Sequence, residues 1–271
     1  MTALPAGFPR AAVLEAAGAA ADVARSVVLP FFRRGVRADD KTDASPVTIA
    51  DRTAERAIRA VMSERLPGFG VMGEEFGLEG GDSPYRWVID PIDGTRAFLT
   101  GRPTFGTLIA LLHDNVPVLG MIDQPVTGER WIGLRGEATR YVSTLPGTPV
   151  TRACADIGRA ELSCTAPEIL DAPHRPGFDA LAAAAKRTSW GGDCYAYGLL
   201  ALGQIDIIAE CTMKIWDWAA LVPVVEGAGG RMTDWAGQKL RADGDGTVLA
   251  VGDGGLLPRV TGLLTPGIAI K

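Results

Sequence analysis

The sequence predicts a layered α/β fold on three observations. Alanine-rich helical stretches open the chain, apolar strand-like runs follow in a group, and helical and strand-like segments alternate toward the C terminus. At 271 residues the chain buries a substantial core, as one large domain or two closely joined halves. Hydrophobic residues make up 47% and charged residues 22%, which excludes a disordered chain. A formal net charge of -5 argues against general nucleic-acid binding.

Residues Ala11 to Phe32 have helical character, with Pro30 as a kink or end, and Ile49 to Arg65 form a second helix. Glu15, Asp22 and Arg25 interrupt the first apolar stretch, so it reads as a helix rather than a signal peptide. No apolar run reaches the length of a membrane span. Lys41 to Thr48 is polar and turn-rich, and mobility is expected there. Phe105 to Leu112, Val116 to Ile122 and Glu129 to Leu134 read as a strand meander, with a turn at His113-Asp114-Asn115. Pro146, Gly147 and Pro149 mark a boundary, dividing residues 1–145 from 146–271. Beyond it, strands are expected at Leu162 to Thr165, Ile205 to Glu210 and Thr247 to Val251. Helices are expected at Phe178 to Ala185, Tyr195 to Leu202, Asp217 to Ala228 and Leu256 to Leu264. Pro223 either kinks the third of these helices or sits where its missing donor does no harm.

Chemistry concentrates where the apolar run Trp87-Val88-Ile89 gives way to Asp90-Pro91-Ile92-Asp93-Gly94-Thr95-Arg96-Ala97. Asp90 and Asp93 supply hard oxygen ligands of the kind Mg²⁺ prefers, Gly94 allows close backbone approach, and Thr95 is suited to cap a following helix. An Asp-rich turn without chemistry is the competing reading of this stretch taken alone. Two further acidic sites shift the balance: Gly73-Glu74-Glu75 ends the apolar run Phe69 to Met72, and Trp216-Asp217 opens an apolar segment closed by Gly229-Gly230. The four cysteines Cys154, Cys164, Cys194 and Cys211 lack Cys-x-x-Cys spacing and have only two histidines to join them. Free thiols in a reducing cytoplasm are therefore expected, and zinc is not.

In order, Asp51, Glu74-Glu75, Asp90-Pro91-Ile92-Asp93-Gly94-Thr95, Trp216-Asp217 and Gly229-Gly230 resemble the signature of the inositol monophosphatase superfamily, over Lys41 to Gly230. The resemblance implies a five-layer α/β/α/β/α sandwich that hydrolyses phosphate monoesters with two or three Mg²⁺ ions, and it implies a homodimer. Carried over by position, Glu74, Asp90, Asp93, Asp217 and the Ile92 carbonyl hold metal. Asp51, Glu74 and Thr95 act in catalysis, Thr95 with Asp51 positioning the attacking water, and Gly94 and Thr95 hold phosphate. Glu75 either binds a weaker ion or supports Glu74. For Asp51 alone, a solvent-facing helix carboxylate is the ordinary expectation.

Three stretches are similar to the histidinol-phosphate phosphatase branch: Gly101 to Leu111, Gly120 to Pro125 with Glu129-Arg130-Trp131, and Gly191-Gly192-Asp193-Cys194-Tyr195-Ala196-Tyr197. That likeness places Asp193 and Glu210 at the substrate wall with Asp93, where paired acids attract a small phosphorylated substrate carrying an ammonium and an imidazole. Asp193 has a helix N-cap as its alternative. Rival activities are inositol-1-monophosphatase and a nucleotide 3′-phosphatase acting on phosphoadenosine phosphate, the latter lacking a clear basic cluster. Partnership in a transcription complex is the non-enzymatic rival. The six tryptophans read as packing residues, His113 and His174 have no catalytic part, and Arg102 and Lys214 read as ordinary exposed cations.

Overall fold

The computed structural model describes residues 3–35, 37–40, 46–80 and 82–265. In chain order the described elements are α1 (Arg10–Val28), β1 (Ala38–Asp40), β2 (Pro46–Thr48), α2 (Ile49–Arg65), β3 (Gly70–Gly73), β4 (Gly77–Glu79), β5 (Tyr85–Asp93) and α3 (Thr95–Leu99). Then come β6 (Gly106–His113), β7 (Val116–Gln124), β8 (Glu129–Leu134), β9 (Arg140–Val142), β10 (Glu161–Cys164), α4 (Arg175–Ala184), β11 (Arg187–Trp190) and α5 (Asp193–Ala201). The chain continues with β12 (Ile207–Glu210), α6 (Ile215–Trp218), α7 (Leu221–Gly227), β13 (Arg231–Thr233), β14 (Val248–Val251) and α8 (Leu257–Leu264). Of the turn-rich stretch expected to be mobile, residues 41–45 lie outside the described residues, and Pro46–Thr48 pairs antiparallel with Ala38–Asp40.

Two large sheets carry the fold, a seven-stranded one in the order β4-β3-β5-β6-β7-β8-β9 and a five-stranded one in the order β11-β10-β12-β14-β13. Side-chain alternation sorts their faces into layers. Trp87, Ile89, Ile109 and Leu111 face one way, onto Val13, Ala16, Ala17 and Ala20 of α1 and Ile58 and Met62 of α2. Val88, Leu108, Ala110 and Leu112 face the other way, onto Tyr197 and Leu200 of α5, Trp218 of α6 and Val224 of α7. The second sheet closes the same central layer from its far side with Ile208, Val248 and Ala250. Its opposite face, Ile207, Ala209, Leu249 and Val251, packs on Phe178 and Leu181 of α4 and Val260 and Leu264 of α8. The result is the five-layer α/β/α/β/α sandwich.

Close approach of the central helices depends on two cross-strand partners without side chains, Gly120 of β7 and Gly133 of β8. A Cβ on Gly120 would lie 1.9 Å from the Ala220 carbonyl oxygen, and one on Gly133 would lie 2.2 Å from Pro223. The backbone of α7 therefore rests directly on the sheet.

The expected helix from Asp217 to Ala228 is instead two helices, α6 and α7, separated at Ala219-Ala220. Pro223 is the third residue of α7, in the first turn, where backbone donors lack ordinary partners. The β6–β7 hairpin turns at Asp114 and Asn115, both at positive φ (49° and 61°), which is why two residues of this type stand there. Asp123, fully buried in β7, is held by Arg25 of α1 at 2.7 Å and Arg130 of β8 at 2.6 Å, tying the outer helix layer to the sheet. Among the described residues no helix is long and apolar enough to cross a membrane.

Candidate active site

A local irregularity in β5 creates the acidic centre. Asp90 pairs with Leu108 and Asp93 with Gly106, so three steps on β5 answer two on β6. In a regular strand residues three apart point to opposite faces, but the extra residue lets both carboxylates converge. Pro91, without an N–H, sits inside the bulge where a ladder donor is dispensable. Ligand oxygens of Asp90, Asp93 and Asp217 all lie within 4.8 Å of one another. Asp217 arrives from the first turn of α6, where one of its oxygens accepts from the Lys214 N–H at 2.6 Å.

Asp51 repeats this device in α2. Its Oδ2 accepts from the Thr48 N–H at 2.8 Å and the Thr48 hydroxyl at 2.5 Å, forming a capping box. It is buried, not the solvent-facing carboxylate that its position alone suggests.

Electrostatics explain why this centre calls for a cation. Burial raises Asp90 well above the usual carboxylate range, and Glu74, Asp93, Asp217 and Asp51 raise it further. Burial, then Asp193 and Asp217, do the same to Asp93. Asp217 is pushed up to about 7, by burial first, with Glu74 and Glu210 adding to it. Asp51 is pushed up to about 6, chiefly by burial, against the lowering effect of its Thr48 hydrogen bonds. Carboxylates that raise one another are stabilised together by hard divalent ions, and the donor set here is all oxygen.

A pocket of ≈ 250 Å³ opens on the cluster and is lined by Glu74, Asp93 and Asp217 together with Gly94, Thr95, Asp193, Tyr197 and Glu210. The structure thus brings Asp193 and Glu210 to the same cavity as the acidic centre. Glu210 is held by the Thr165 N–H at 2.7 Å and the Tyr197 hydroxyl at 2.8 Å, and burial raises its pKa. Asp193 is not an N-cap: Gly192 occupies that position, and Asp193 Oδ2 accepts from the Thr104 hydroxyl at 3.1 Å. Its φ of 45° is a left-handed conformation that Asp tolerates better than most residues. Gly94, at φ 83°, is required opposite it, because a Cβ there would stand 2.8 Å from the Asp193 carboxyl carbon.

One further expectation is corrected. Thr95 does not cap α3; it is the first helical residue, and its hydroxyl donates to the Ile92 carbonyl at 3.1 Å. That geometry arises because the N-cap position falls to Gly94, whose left-handed backbone turns the chain into the helix. Asp51, for its part, has its Oδ2 engaged by Thr48. Of the tryptophans, Trp87, Trp131, Trp218 and Trp235 are buried, while Trp190 is 43% exposed and leans on Phe178.

Sequence reasoning missed the residues that hold the acidic cluster and its neighbouring backbone in place. Fully buried Glu55 of α2 accepts from the Glu75 N–H at 2.8 Å and the Phe76 N–H at 3.2 Å, and Arg59 pairs with it at 2.8 Å while holding the Gly77 carbonyl. This clamp sets the backbone that carries Glu74. The Cys194 N–H donates to Asp93 Oδ2 at 2.7 Å, orienting that ligand from α5. A Glu one turn after Asp51 on the same helix was the available signal for Glu55, but nothing local connects it to residues 75 and 76. Glu55→Gln puts an amide donor where two backbone donors converge, and outer-shell changes of this kind weaken metal binding about 10–100-fold. A Mg²⁺ titration of activity is expected to shift to higher concentration by roughly that factor, with kcat at saturation reduced far less.

The profile of the inositol monophosphatase family matches residues 10–264. The bifunctional phosphatase IMPL2, chloroplastic, of Arabidopsis thaliana is 42% identical over 235 residues, spanning 86% of this chain and 67% of that protein. A histidinol-phosphatase of Chlorobaculum parvum is 38% identical over 233 residues, spanning 85% and 88%. An inositol monophosphatase structure from Zymomonas mobilis superimposes with TM-score 0.85 at 42% identity, covering 96% of this chain and 99% of that one. With the match running through every layer of the sandwich and through the acidic cluster, this chain belongs to the inositol monophosphatase family and is a metal-dependent phosphatase.

Proposed function

We propose that the protein is a Mg²⁺-dependent histidinol-phosphate phosphatase that converts L-histidinol phosphate and water to L-histidinol and phosphate in histidine biosynthesis. The observation that carries the substrate choice is that Asp193 and Glu210 line the same pocket as Glu74, Asp93 and Asp217. Burial disfavours the charged form of each, so a cation arriving beside them is favoured over a neutral group. Histidinol phosphate brings an ammonium and a protonatable imidazole; inositol phosphate brings hydroxyls. Relatives named histidinol-phosphatase support the same choice.

Glu74, Asp90, Asp93, Asp217 and the Ile92 carbonyl fit two or three Mg²⁺ ions as an all-oxygen donor set. When bound, Mg²⁺ neutralises charge on the phosphoryl oxygens and lowers the pKa of a nearby water. The chain's own groups do the rest. The Gly94 and Thr95 N–H groups at the start of α3 receive phosphate oxygens. The Thr95 hydroxyl, donating to the Ile92 carbonyl, keeps lone pairs with which to accept a hydrogen bond from the attacking water and orient it. Asp51, raised to about 6, takes the one proton that the water loses as it attacks at near-neutral pH. Asp193 and Glu210 hold the cationic end of the substrate, so its phosphate reaches the acidic centre in one orientation.

Asp193→Asn tests this directly, because Asn tolerates the left-handed backbone and the fold is retained. KM for histidinol phosphate is expected to rise about 10-fold or more, on the scale of one lost charge-assisted contact, with KM for inositol 1-phosphate nearly unchanged. Equal effects on both substrates, or a change in melting temperature alone, contradict the assignment.

A further inference from the structure

Three side chains of different chemistry meet at Cys211, which lines the pocket, with Asp171 and His174 outside its lining. Asp171 and His174 lie in the turn that leads into α4, and Cys211 directly follows β12. One ligand atom from each lies within 4.8 Å of the other two. We propose that Asp171, His174 and Cys211 form a second metal site, selective for a thiophilic divalent cation of the Zn²⁺ class.

The donor set decides the class. A thiolate, an imidazole and one carboxylate match Zn²⁺, which takes sulfur, nitrogen and oxygen in tetrahedral sites, whereas Mg²⁺ avoids sulfur. The three groups leave one position for water. His174 is already oriented: its ring meets Trp235 edge-on at 5.2 Å, and Nδ1 faces Asp171 Oδ1. Side-chain exposures of 24% for His174 and 44% for Asp171 provide an entry path, while buried Cys211 supplies the floor. Cys211 donates to the Ile169 carbonyl at 2.8 Å, short for a sulfur donor, and Asp171, Glu210 and Asp245 add negative potential around it. Burial first, and those acids with it, favour the thiol over the thiolate when no cation is present, and a bound Zn²⁺ would reverse that preference. Binding then forms a metal–sulfur bond and releases the Cys211 proton to solvent. Spacing hides the site in the sequence, because Cys211 lies far along the chain from the Asp171-x-x-His174 pair and joins it only through the packing of β12 beside that turn.

Co²⁺ titration of the full chain in saturating Mg²⁺ tests the site, since a thiolate-to-cobalt charge-transfer band in the near ultraviolet cannot arise from the all-oxygen centre. The band is expected to saturate at one Co²⁺ per chain and to be displaced by Zn²⁺. It is expected to be retained in Asp93→Asn, weakened at least about 10-fold in apparent affinity in His174→Ala, and lost in Cys211→Ser. His174 is partly exposed and outside the pocket lining, so its variant is expected to fold. No band in the wild-type protein, or a band that survives unchanged in Cys211→Ser or His174→Ala, overturns the proposal.

Discussion

Asp93→Asn is expected to lower kcat by about 10³-fold or more and to weaken Mg²⁺ binding, while far-UV circular dichroism and cooperative unfolding are retained. Asp93 belongs to the converging carboxylates and faces the pocket, so an amide there removes both a charged ligand oxygen and the field that draws the cation. The fold tolerates the change because the essential structural contact, acceptance from the Cys194 N–H, needs only a carbonyl oxygen, which Asn keeps. Asn also relieves repulsion: Asp193 and Asp217 both oppose ionisation of Asp93. The metal-free variant should therefore melt no lower than the metal-free wild type. Turnover within a few-fold of wild type at saturating Mg²⁺ contradicts the metal assignment.

The same repulsion makes stability depend on pH, with a sign set by the direction of the shifts. Asp51 and Asp217 ionise near 3.8 when unfolded, but at about 6 and about 7 in the fold. Their folded-state pKa values are raised, so stability is fully present below the unfolded value and is lost as pH rises through about 6 to 7. Metal-free protein is expected to lose melting temperature across that window. Mg²⁺ stabilises the ionised cluster, and so its stabilising effect grows over the same range. Differential scanning calorimetry should show saturating Mg²⁺ raising the melting temperature by about 5 °C or more at pH 8 and by less than about 2 °C at pH 4.5. An increment that does not vary with pH would place the cation elsewhere.

Legibility in the sequence followed the range of the interaction. Helix α2 occupies the expected Ile49 to Arg65, because Thr48 and Asp51 form their capping box within one turn, and β8 likewise spans Glu129 to Leu134 as expected. The strands that escaped notice in the two large sheets, β4, β9, β11 and β13, are the four edges of those sheets. Each has three or four residues and pairs on one side only, too short for a period-two pattern to stand out. Splitting of the Asp217 to Ala228 segment was illegible for a related reason: its apolar residues suit one buried helix, and the break comes from seating α7 on Gly120 and Gly133, remote in sequence.

At the site, the convergence of Asp90, Asp93 and Asp217 was legible because these carboxylates stand in short patterned stretches. Their supports were not. Glu55 acts through backbone donors of residues 75 and 76, and the Cys194 N–H reaches Asp93 from another layer of the sandwich. Neither interaction leaves a local pattern. Thr95 shows the converse error: Gly-Thr at a helix start suggests a hydroxyl cap, but the left-handed Gly94 takes the cap position and sends the hydroxyl to the Ile92 carbonyl.

The proposed activity pairs a metal-dependent centre with Asp193 and Glu210 as the receivers of a cationic substrate, a claim that a substrate panel on the purified wild-type protein decides. With Mg²⁺ saturating, kcat/KM for histidinol phosphate is expected to exceed that for inositol 1-phosphate and for phosphoadenosine phosphate by about 10²-fold, as one or two charge-assisted contacts allow. A kcat/KM for inositol 1-phosphate equal to or above that for histidinol phosphate contradicts the claim.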